Sequence, residues 1–470
     1  MPVHLVGGTI RDALLGRPIH DIDLIVPVDA ISLTFRLANV LGLPAYVLDD
    51  KRDVGRIMVP GNGLTIDIAR YRDQTLENDL RGRDFTINAM ALPIDAQTTD
   101  AVIDLHHGLD HLRARRIHII HPQSIDDDPV RALRAVRFAS HLGFTLSDET
   151  SAAARAAGVL LPGHSSAERI RDELNRILSS RAPNIGIEML HALGLLEIVL
   201  PDIARLDGLT QSLPHFEDVY RHTLRVLHYL AAIIPLIGGT PAVADWEVDI
   251  AQLLSPYRED LQSHLARETN GGTSGTLLLM WGGLLHDIGK QPTQTVEPDG
   301  RIRFFGHDEV GAELAAKLLS SYSFSNESIK QVRTIVAGHM RPLFLANENH
   351  PPSRRSVYRY FRNLHKAGLD VALLSFADHL ATHDGPGDRT TWESLLTVIS
   401  GLFDVYFHQY EVAVAPPRLL DGKAIMTILD KPPGHEIGRL LRLLEEAQAT
   451  GEVTSHEEAI TFIRQQALAG

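Results

Sequence analysis

The apolar residues change period once along this chain, and that change divides it. Over the first hundred residues, short apolar runs of strand length (VHLVGG, DIDLIV, LTIDIARY) alternate with helical patterns such as the amphipathic stretch Ile31–Leu41, which predicts an α/β domain. From Asp126 onward the pattern is helical and stays so. Val130, Leu133, Val136 and Leu142 mark one segment, and Ile170, Leu174, Ile177 and Leu178 another, so strands are expected to end by about residue 125. A second helical region opens near Pro214 and runs to about residue 408, with Gly/Thr/Ser-rich breaks at 238–241 and 270–275 that bracket an insertion carrying one amphipathic helix. Pro416 and Pro417 introduce a last module, in which Pro432, Pro433 and Gly434 separate a pair of helices and TSHEE at 454–458 reads as a helix start. The expected architecture is α+β and multidomain: an α/β head with a mixed sheet over 1–125, an all-α neck and body over 126–205, an all-α domain over 206–410 and a small helical module over 411–470.

A length of 470 residues suits about three domains of ~150 residues. The absence of cysteine excludes a disulfide framework, thiolate metal sites and a cysteine nucleophile. Chemistry is left to carboxylates, imidazoles and metals. The N-terminus has no basic segment followed by a long apolar one, and no later run approaches the ~18 apolar residues of a membrane span. A cytoplasmic protein with no membrane partner is therefore expected. A net charge of −14 argues against a non-specific nucleic-acid coat, yet leaves room for a local basic groove, because charge distribution rather than the sum steers partners.

Residues 7–23 read GGTIRDALLGRPIHDID: a glycine pair closes a strand, a helix follows, and Asp21 and Asp23 stand two apart at the start of an apolar run. Strand period puts both carboxylates on one face. Like charges repel there unless a divalent cation lies between them, and Asp67 could add a third ligand from a neighbouring strand. Such a trio can hold two Mg2+ ions for in-line displacement at a triphosphate. The backbone of Gly7 and Gly8 can approach the phosphates, with Arg11 close by. A lone Asp-x-Asp would be an ordinary solvated turn; the full spacing is what points to nucleotidyl transfer.

These residues resemble the bacterial class II tRNA nucleotidyltransferase and poly(A) polymerase family, in its subgroup with a C-terminal HD domain. The resemblance implies Mg2+ in the head, CTP and ATP as substrates, and the tRNA 3′ end and acceptor arm as partner. Arg83-Asp84-Phe85-Thr86-Ile87-Asn88-Ala89-Met90-Ala91 is similar to the family's RRDFTINAMA, which implies that Arg83, Asp84 and Asn88 meet the ribose and triphosphate. Gly82 stands where that pattern has its first Arg, with Arg81 one place earlier. Asp127-Asp128-Pro129-Val130-Arg131 resembles the element that selects the incoming base. Asp128 and Arg131, three apart, are expected on one helix face as an acceptor beside a donor fork. That pair suits the amino edges of cytosine and adenine and rejects uracil and guanine. Arg134 and Arg137 continue a basic face toward triphosphate or RNA. The run from Glu168 to Leu178 is similar to a family helix that acts as scaffold for this one. Relatives that build the whole CCA end generally carry a flexible basic segment before RRD; here Arg72 is followed almost at once by DQTLENDLRGRD, which resembles enzymes adding only the two cytidines. The chain also opens on its first strand, where relatives usually have a short helix, so either the true start lies upstream or that helix is dispensable.

A second constellation lies between 215 and 384: His222, His286-Asp287, His307, His339 and Asp378, each in or beside an apolar helical segment. Mixed N/O ligation suits Mn2+, Fe2+, Co2+, Ni2+ or Zn2+. The order resembles the HD phosphohydrolase superfamily in the variant whose extra histidines hold two metals, which implies attack on a phosphomonoester or a 2′,3′-cyclic phosphate, with Lys290 set to neutralise the substrate phosphate. His215, His264 and His379 are read as surface or satisfied core residues. The C-terminal module resembles the subgroup's tail, which binds the tRNA elbow or caps the HD domain. The leading expectation is template-independent addition of CMP, with or without AMP, to the tRNA 3′ end. The alternatives are a poly(A) polymerase, and an HD phosphohydrolase of RNA ends whose head binds RNA.

Overall fold

The computed structural model describes residues 1–61, 63–347 and 351–468. The chain forms two compact units, Met1–Val199 and Leu200–Gly470. No helix among the described residues is long and apolar enough to cross a membrane.

The first unit is built on a seven-stranded sheet, with β1 His4–Val6, β2 Asp21–Val26, β3 Ala45–Asp49, β4 Val54–Met58, β5 Thr65–Arg70, β6 Met90–Pro93 and β7 Ile103–Asp104 in the order β3-β4-β5-β2-β1-β6-β7. The β2–β5 pair is parallel and the others antiparallel, so the sheet is mixed. Alternation along β2 decides which residues face which layer. Ile22, Leu24 and Val26 pack with Ala30, Leu33 and Leu37 of helix α1 (Ala30–Leu41) and with Ile66 and Ile68 of β5. Ile25 packs on the other face with Val6, Tyr71, Leu80 and Ala89. Asp21 and Asp23 share the face of Ile25, and Asp67 pairs in register with Asp23. A single parallel register thus brings three carboxylates together.

Beyond the sheet the unit is mainly helical. The helix α2 (Val130–Leu142) buries Val130, Leu133, Val136 and Phe138, and α3 (Ala167–Leu178) buries Ile170, Glu173, Leu174, Ile177 and Leu178. Ser166 caps α3 by accepting from the Arg169 N–H at 3.4 Å.

The second unit gathers α4 (Val219–Ile237), α5 (Gly275–Leu285), α6 (His307–Ser321), α7 (Asn326–Gly338) and α8 (Ala367–His383) around a common core. Glycines let these helices close on one another. A Cβ on Gly283 would overlap Leu230 and one on Gly289 would overlap the His307 carbonyl oxygen, so the Gly-rich GGLLHDIGK run is a packing device as much as a chemical one. At the C-terminus Leu420, Ile425, Ile437, Leu440, Leu444 and Ile463 form a separate cluster. The last helix starts as its sequence suggested. Ser455 Oγ accepts from the Glu458 N–H at 3.2 Å, and the Glu458 carboxylate accepts from the Thr454 N–H at 2.7 Å.

Three expectations need correction. Strands do not end by residue 125: Thr145–Leu146 pairs in parallel with Arg116–Ile117, and Gln294–Val296 pairs with Ile302–Phe304 as a hairpin. The hairpin turn holds Gly300 at φ 83, and its strands of three residues each are shorter than the run over which alternation is read. The insertion between the two Gly-rich breaks carries two helices, Asp245–Leu254 and Arg258–Ala266, divided at Ser255–Tyr257 where Pro256 interrupts the run. Asp128 lies outside α2, ahead of its first turn, and its carbonyl accepts the Arg131 N–H at 2.9 Å. The two side chains are therefore not an i,i+3 pair on a helix; the proline at 129 sets the helix start.

Candidate functional site

In the N-terminal unit a cavity of about 750 Å³ is lined by Gly7, Gly8 and Arg11, by Asp21, Asp23 and Asp67, and by Arg83, Asp84, Asn88, Asp128, Arg131, Arg134 and Arg137. Every residue for which the sequence implied a metal- or nucleotide-binding role in this unit reaches this one space. Gly7 has φ 67, and a Cβ there would come 3.0 Å from Arg83 Nη1 and 3.3 Å from Asp23 Oδ2, so the close approach needs glycine. Thr9 ties the glycine turn to β2, since its Oγ accepts from the Asp23 N–H at 2.8 Å. Asp21 Oδ1 accepts from Thr65 Oγ at 2.6 Å. The Asp23 carboxyl is pushed up to about 6, first by burial and further by Asp67 and Asp21, against the opposing pull of Arg83 and Arg11. A crowded acidic pair of this kind, Asp23 half-buried and Asp21 open to solvent, fits a divalent cation. Asp67 differs from its neighbours: Arg56 holds both its oxygens, at 2.6 and 2.7 Å.

The RDFTIN turn is locked from inside. Asp84 accepts from Arg134 Nε and Nη2 at 2.9 and 2.6 Å, from Asn88 Nδ2 at 3.0 Å and from the Phe85 N–H at 2.8 Å. Burial alone would raise this carboxyl, but the Arg134 charge and these hydrogen bonds outweigh it and hold it at about 2. Asn88 Oδ1 in turn accepts from Arg11 Nη1 at 2.7 Å. Arg83 is tied through Nε and Nη2 to Asp79, at 3.1 and 3.0 Å. Glu173, 3% exposed, sits against Arg134, Arg137 and Arg176 at 3.6, 2.7 and 3.2 Å. The Arg137–Glu173 contact is an ion pair rather than an aligned hydrogen bond. Burial first, and Arg134 and Arg176 next to it, push the Arg137 guanidinium down to about 10 despite Glu173. The Phe138 ring lies under three guanidinium groups, with Arg137, Arg11 and Arg134 Cζ at 4.2, 5.0 and 5.5 Å from its centroid.

Asp128 and Arg131 both reach the cavity, each already held. Asp128 Oδ2 accepts from Arg169 Nη2 at 2.7 Å. Arg131 Nη1 donates to the Ser124 carbonyl and hydroxyl at 3.0 and 2.9 Å, and its Nη2 to the Gly82 carbonyl at 2.9 Å. Neutral acceptors fix the fork in place while its Nε–H and one Nη2–H remain for a ligand. Sequence reasoning missed Arg52, Arg72, Arg169, Arg176 and Phe138 as cavity residues, and read Glu173 only as scaffold. The i,i+3 spacing of Glu173 and Arg176 was the available signal; the long-range pairs left none.

In the second unit His222 on α4, His286 and Asp287 after α5, His307 at the head of α6, His339 at the end of α7 and Asp378 on α8 converge. His222 Nε2 lies 3.0 Å from Asp378 Oδ1 and 3.4 Å from His286 Nε2, and His307 Nε2 lies 3.3 Å from His339 Nε2. His286, His307 and His339 each turn Nδ1 to a carbonyl three residues back, of Gly283, Phe304 and Val336, at 2.8, 2.8 and 2.7 Å. A carbonyl only accepts, so the proton sits on Nδ1 and the Nε2 lone pairs face one another. The ligand atoms of His222, His286 and Asp287, and those of Asp287, His307 and His339, form two groups each within 4.8 Å, with Asp287 common to both. Asp287 Oδ2 is buried without an aligned hydrogen bond. This donor set fits divalent metal. Lys290 lines the opening over the cluster and is already engaged there, with Nζ 2.8 Å from Asp287 Oδ2 and donating to Gln211 Oε1 at 2.9 Å. The i,i+3 geometry turns it onto the carboxylate. An opening of about 560 Å³, lined by His215, Phe304, Phe305, Leu343 and Phe344 among others, covers the cluster. His215 stacks edge-on against His222 at 4.9 Å. His264 bonds Asp370 at 2.9 Å, and His379 donates to the Pro386 carbonyl at 2.8 Å.

Comparison with known proteins decides the family. The A-adding tRNA nucleotidyltransferase of Deinococcus radiodurans is 32% identical over 468 residues, covering 98% of this chain and 95% of its own length. This chain belongs to the tRNA nucleotidyltransferase and poly(A) polymerase family. Family models match the poly(A) polymerase head domain over residues 3–118, a polymerase A segment described as an RNA- and SrmB-binding site over 143–206, and the HD domain over 219–382. The CC-adding tRNA nucleotidyltransferase of Thermus thermophilus is 31% identical, covering 97% of this chain and 92% of its own. A solved CCA-adding enzyme with ATP shares the fold, with a TM-score of 0.62 at 21% identity over 100% of this chain and 91% of that one. As a nucleotidyltransferase-family head joined to an HD domain, the chain carries two domain types that depend on divalent metal.

In this family member Glu173 is the anion that offsets three guanidinium charges in the wall of the head cavity. Glu173→Gln keeps the volume and removes the charge, and is expected to destabilise the N-terminal unit by about 3 kcal/mol, whereas Arg176→Ala, at the exposed end of the row, is expected to change it by less than ~1 kcal/mol. Urea denaturation followed by hydrogen exchange in α2 reads both, and equal effects would contradict the assignment.

Proposed function

We propose that the chain adds CMP to the tRNA 3′ end without a nucleic-acid template, with residues 1–125 as catalytic head, 126–205 as neck and body, 206–410 as an HD phosphohydrolase domain and 411–470 as a tail module. The observation that carries the reading is that Asp21, Asp23 and Asp67 share one cavity with Asp128 and Arg131. Metal-binding carboxylates next to a donor–acceptor pair are what a protein that both activates a triphosphate and chooses its base requires. Mg2+ held by Asp21 and Asp23 supplies positive charge to the triphosphate and to the attacking 3′ hydroxyl. Asp67 adds negative charge beside Asp23, and Arg56 must yield a hydrogen bond before Asp67 takes a ligand's role. Gly7 and Gly8 let the phosphates come close to the backbone, while Arg11, Arg83, Asp84 and Asn88 position the ribose and phosphates. The open oxygen of Asp128 accepts the amino group of cytosine or adenine, and the free Nε–H of Arg131 meets the ring acceptor. A carbonyl or O6 at that place would set acceptor against acceptor, which excludes uracil and guanine.

The stretch linking β5 to the RDFTIN turn is short and internally bonded: Asp79 accepts the Arg72 N–H at 3.1 Å, and Asn78 Nδ2 donates to the Asp73 carbonyl at 3.3 Å. No long basic segment intervenes, which favours stopping after CC. A second reading, addition of the terminal AMP, is favoured by the likeness to the Deinococcus A-adding enzyme. In the HD domain the residues His222, His286, Asp287, His307, His339 and Asp378 hold one or two divalent transition-metal ions, of the class Mn2+, Ni2+, Fe2+ or Co2+. Such ions supply the activation of water for attack on a phosphomonoester or a 2′,3′-cyclic phosphate. Burial works against the Asp287 charge, but His286 and Lys290 keep the carboxyl well below its ordinary value, and so hold it ready as a ligand.

Labelled CTP and ATP offered separately to transcripts of one tRNA ending at the discriminator base, at C or at CC test the transfer reading. Two C additions that stop, with nothing added to the CC transcript, are expected. A single A on the CC transcript would move the reading to A addition, and long A tracts on an unrelated RNA would move it to poly(A) polymerase. Asp21→Ala with Asp23→Ala is expected to abolish incorporation. Separately, His286→Ala with Asp287→Ala should lower the metal bound per chain, read by elemental analysis, and end hydrolysis of 2′,3′-cyclic nucleotides while leaving incorporation intact; loss of both activities would contradict independent sites.

A further inference from the structure

The cations lining the head cavity are not equally compensated. Arg52 faces Asp49 at 3.8 Å, Arg83 is paired with Asp79 at 3.0 Å, Arg134 with Asp84 at 2.6 Å, Arg137 with Glu173 at 2.7 Å and Arg169 with Asp128 at 2.7 Å. Arg72 and Arg131 have no carboxylate within salt-bridge distance among the described residues. Both instead donate to the same neutral atom, the Gly82 carbonyl oxygen, from Arg72 Nη1 at 3.0 Å and Arg131 Nη2 at 2.9 Å. Two guanidinium groups on one oxygen repel each other unless an anion joins them. The Arg72 pKa agrees with this geometry: it lies below its ordinary value, through desolvation first and then, against the pull of Asp79, through Arg83, Arg131 and Arg52.

Gly82 explains how Arg72 gets there. Its backbone is ordinary right-handed helix, at φ −75 and ψ −3, so conformation does not demand glycine. A Cβ would meet the Asn78 carbonyl oxygen at 3.4 Å and the Arg72 Cδ at 3.6 Å, so a longer side chain would run along the path the Arg72 stem now takes. The missing side chain at the position where RRD has its first Arg is thus replaced in space by one reaching over from the end of β5. Arg72 also lines both the cavity of about 750 Å³ that holds Asp21 and Asp23 and an adjoining one of about 1070 Å³ bounded by Lys51, Asp126 and His164. It stands where two anionic groups arriving from different sides would meet.

We infer that Arg72, with Arg131, forms a phosphate-binding subsite about the Gly82 carbonyl, and that the guanidinium of Arg72 does the work of an arginine absent at position 82. The ligand is a phosphate oxygen bridging two guanidinium forks, from either the incoming triphosphate or the phosphodiester of the RNA 3′ end. The inference deepens the nucleotidyl-transfer reading and rests on it for the identity of the phosphate's owner.

The test compares the full-length wild type with Arg72→Ala, Arg72→Lys and the double variant Arg72→Ala with Gly82→Arg. It reads steady-state CTP addition, equilibrium binding of CTP alone, and filter binding of a tRNA transcript across a salt series. Arg72→Ala is expected to weaken one ligand about ten-fold or more, with an unchanged thermal midpoint. A raised KM and Kd for CTP assigns the triphosphate; weaker tRNA binding with a salt slope shallower by about one assigns the RNA phosphodiester. Arg72→Lys should retain some of the affinity, and Gly82→Arg should restore most of what Arg72→Ala loses. Affinities within two-fold of wild type in Arg72→Ala, or a loss accompanied by a lower thermal midpoint that Gly82→Arg leaves uncorrected, would overturn the subsite. A wild type that binds CTP without incorporating it would sink the transfer reading while the binding measurements still decide the role of Arg72.

Discussion

Two buried carboxylates, Asp84 and Glu173, hold the N-terminal cavity in shape. Each would be strongly disfavoured alone in an apolar interior, and each is offset by guanidinium groups from α2, with Arg134 shared between them. The network joins three stretches far apart in the chain: the RDFTIN turn, the helix that begins just after Asp128, and α3. Removing one member leaves an uncompensated charge rather than a simple gap. Because Asn88 passes the constraint on to Arg11, the same network reaches the glycine turn that opens onto Asp21 and Asp23. The Arg131 fork is fixed separately, by the Ser124 and Gly82 oxygens, and such rigidity is what base selection by protein side chains needs, since a fork that could swing would accept more than one pattern of donors and acceptors.

The second unit uses the same economy with one carboxylate. Asp287 belongs to both groups of candidate ligands; His286, His307 and His339 are aimed by carbonyls three residues back, and His222 by the Asp378 carboxylate. Helix packing sets those turns, and the glycines at 283 and 289 allow the packing. Chemistry and fold are written in the same short run, which is why GGLLHDIGK reads as a motif.

Much of this was legible in the sequence because it depends on short-range periodicity. The alternation in DIDLIV places Asp21 and Asp23 on the face of Ile25, and the helical runs around 130–142 and 167–178 are amphipathic enough to be read directly. What could not be read depends on contacts between distant residues. Arg56 taking both oxygens of Asp67 follows from the pairing of β4 with β5, and the role of Glu173 from the approach of α3 to α2. The displacement of Asp128 from the helix comes from Pro129, which was visible; the expectation of an i,i+3 pair gave it too little weight. The hairpin at 294–304 was missed because its strands are only three residues long, and the pairing of Lys290 with Asp287 because spacing alone does not say which anion a buried ammonium will meet.

The central proposal is that protein side chains choose the base, with Asp128 held by Arg169 and Arg131 held by Ser124 and Gly82. Equilibrium binding of CTP, ATP, UTP and GTP to the chain with Mg2+ and without RNA tests it most directly. CTP and ATP are expected to bind about ten-fold tighter than UTP and GTP, the difference one satisfied against one opposed hydrogen-bond pair makes. Equal affinity for all four would contradict the account and place base choice outside the Asp128–Arg131 pair.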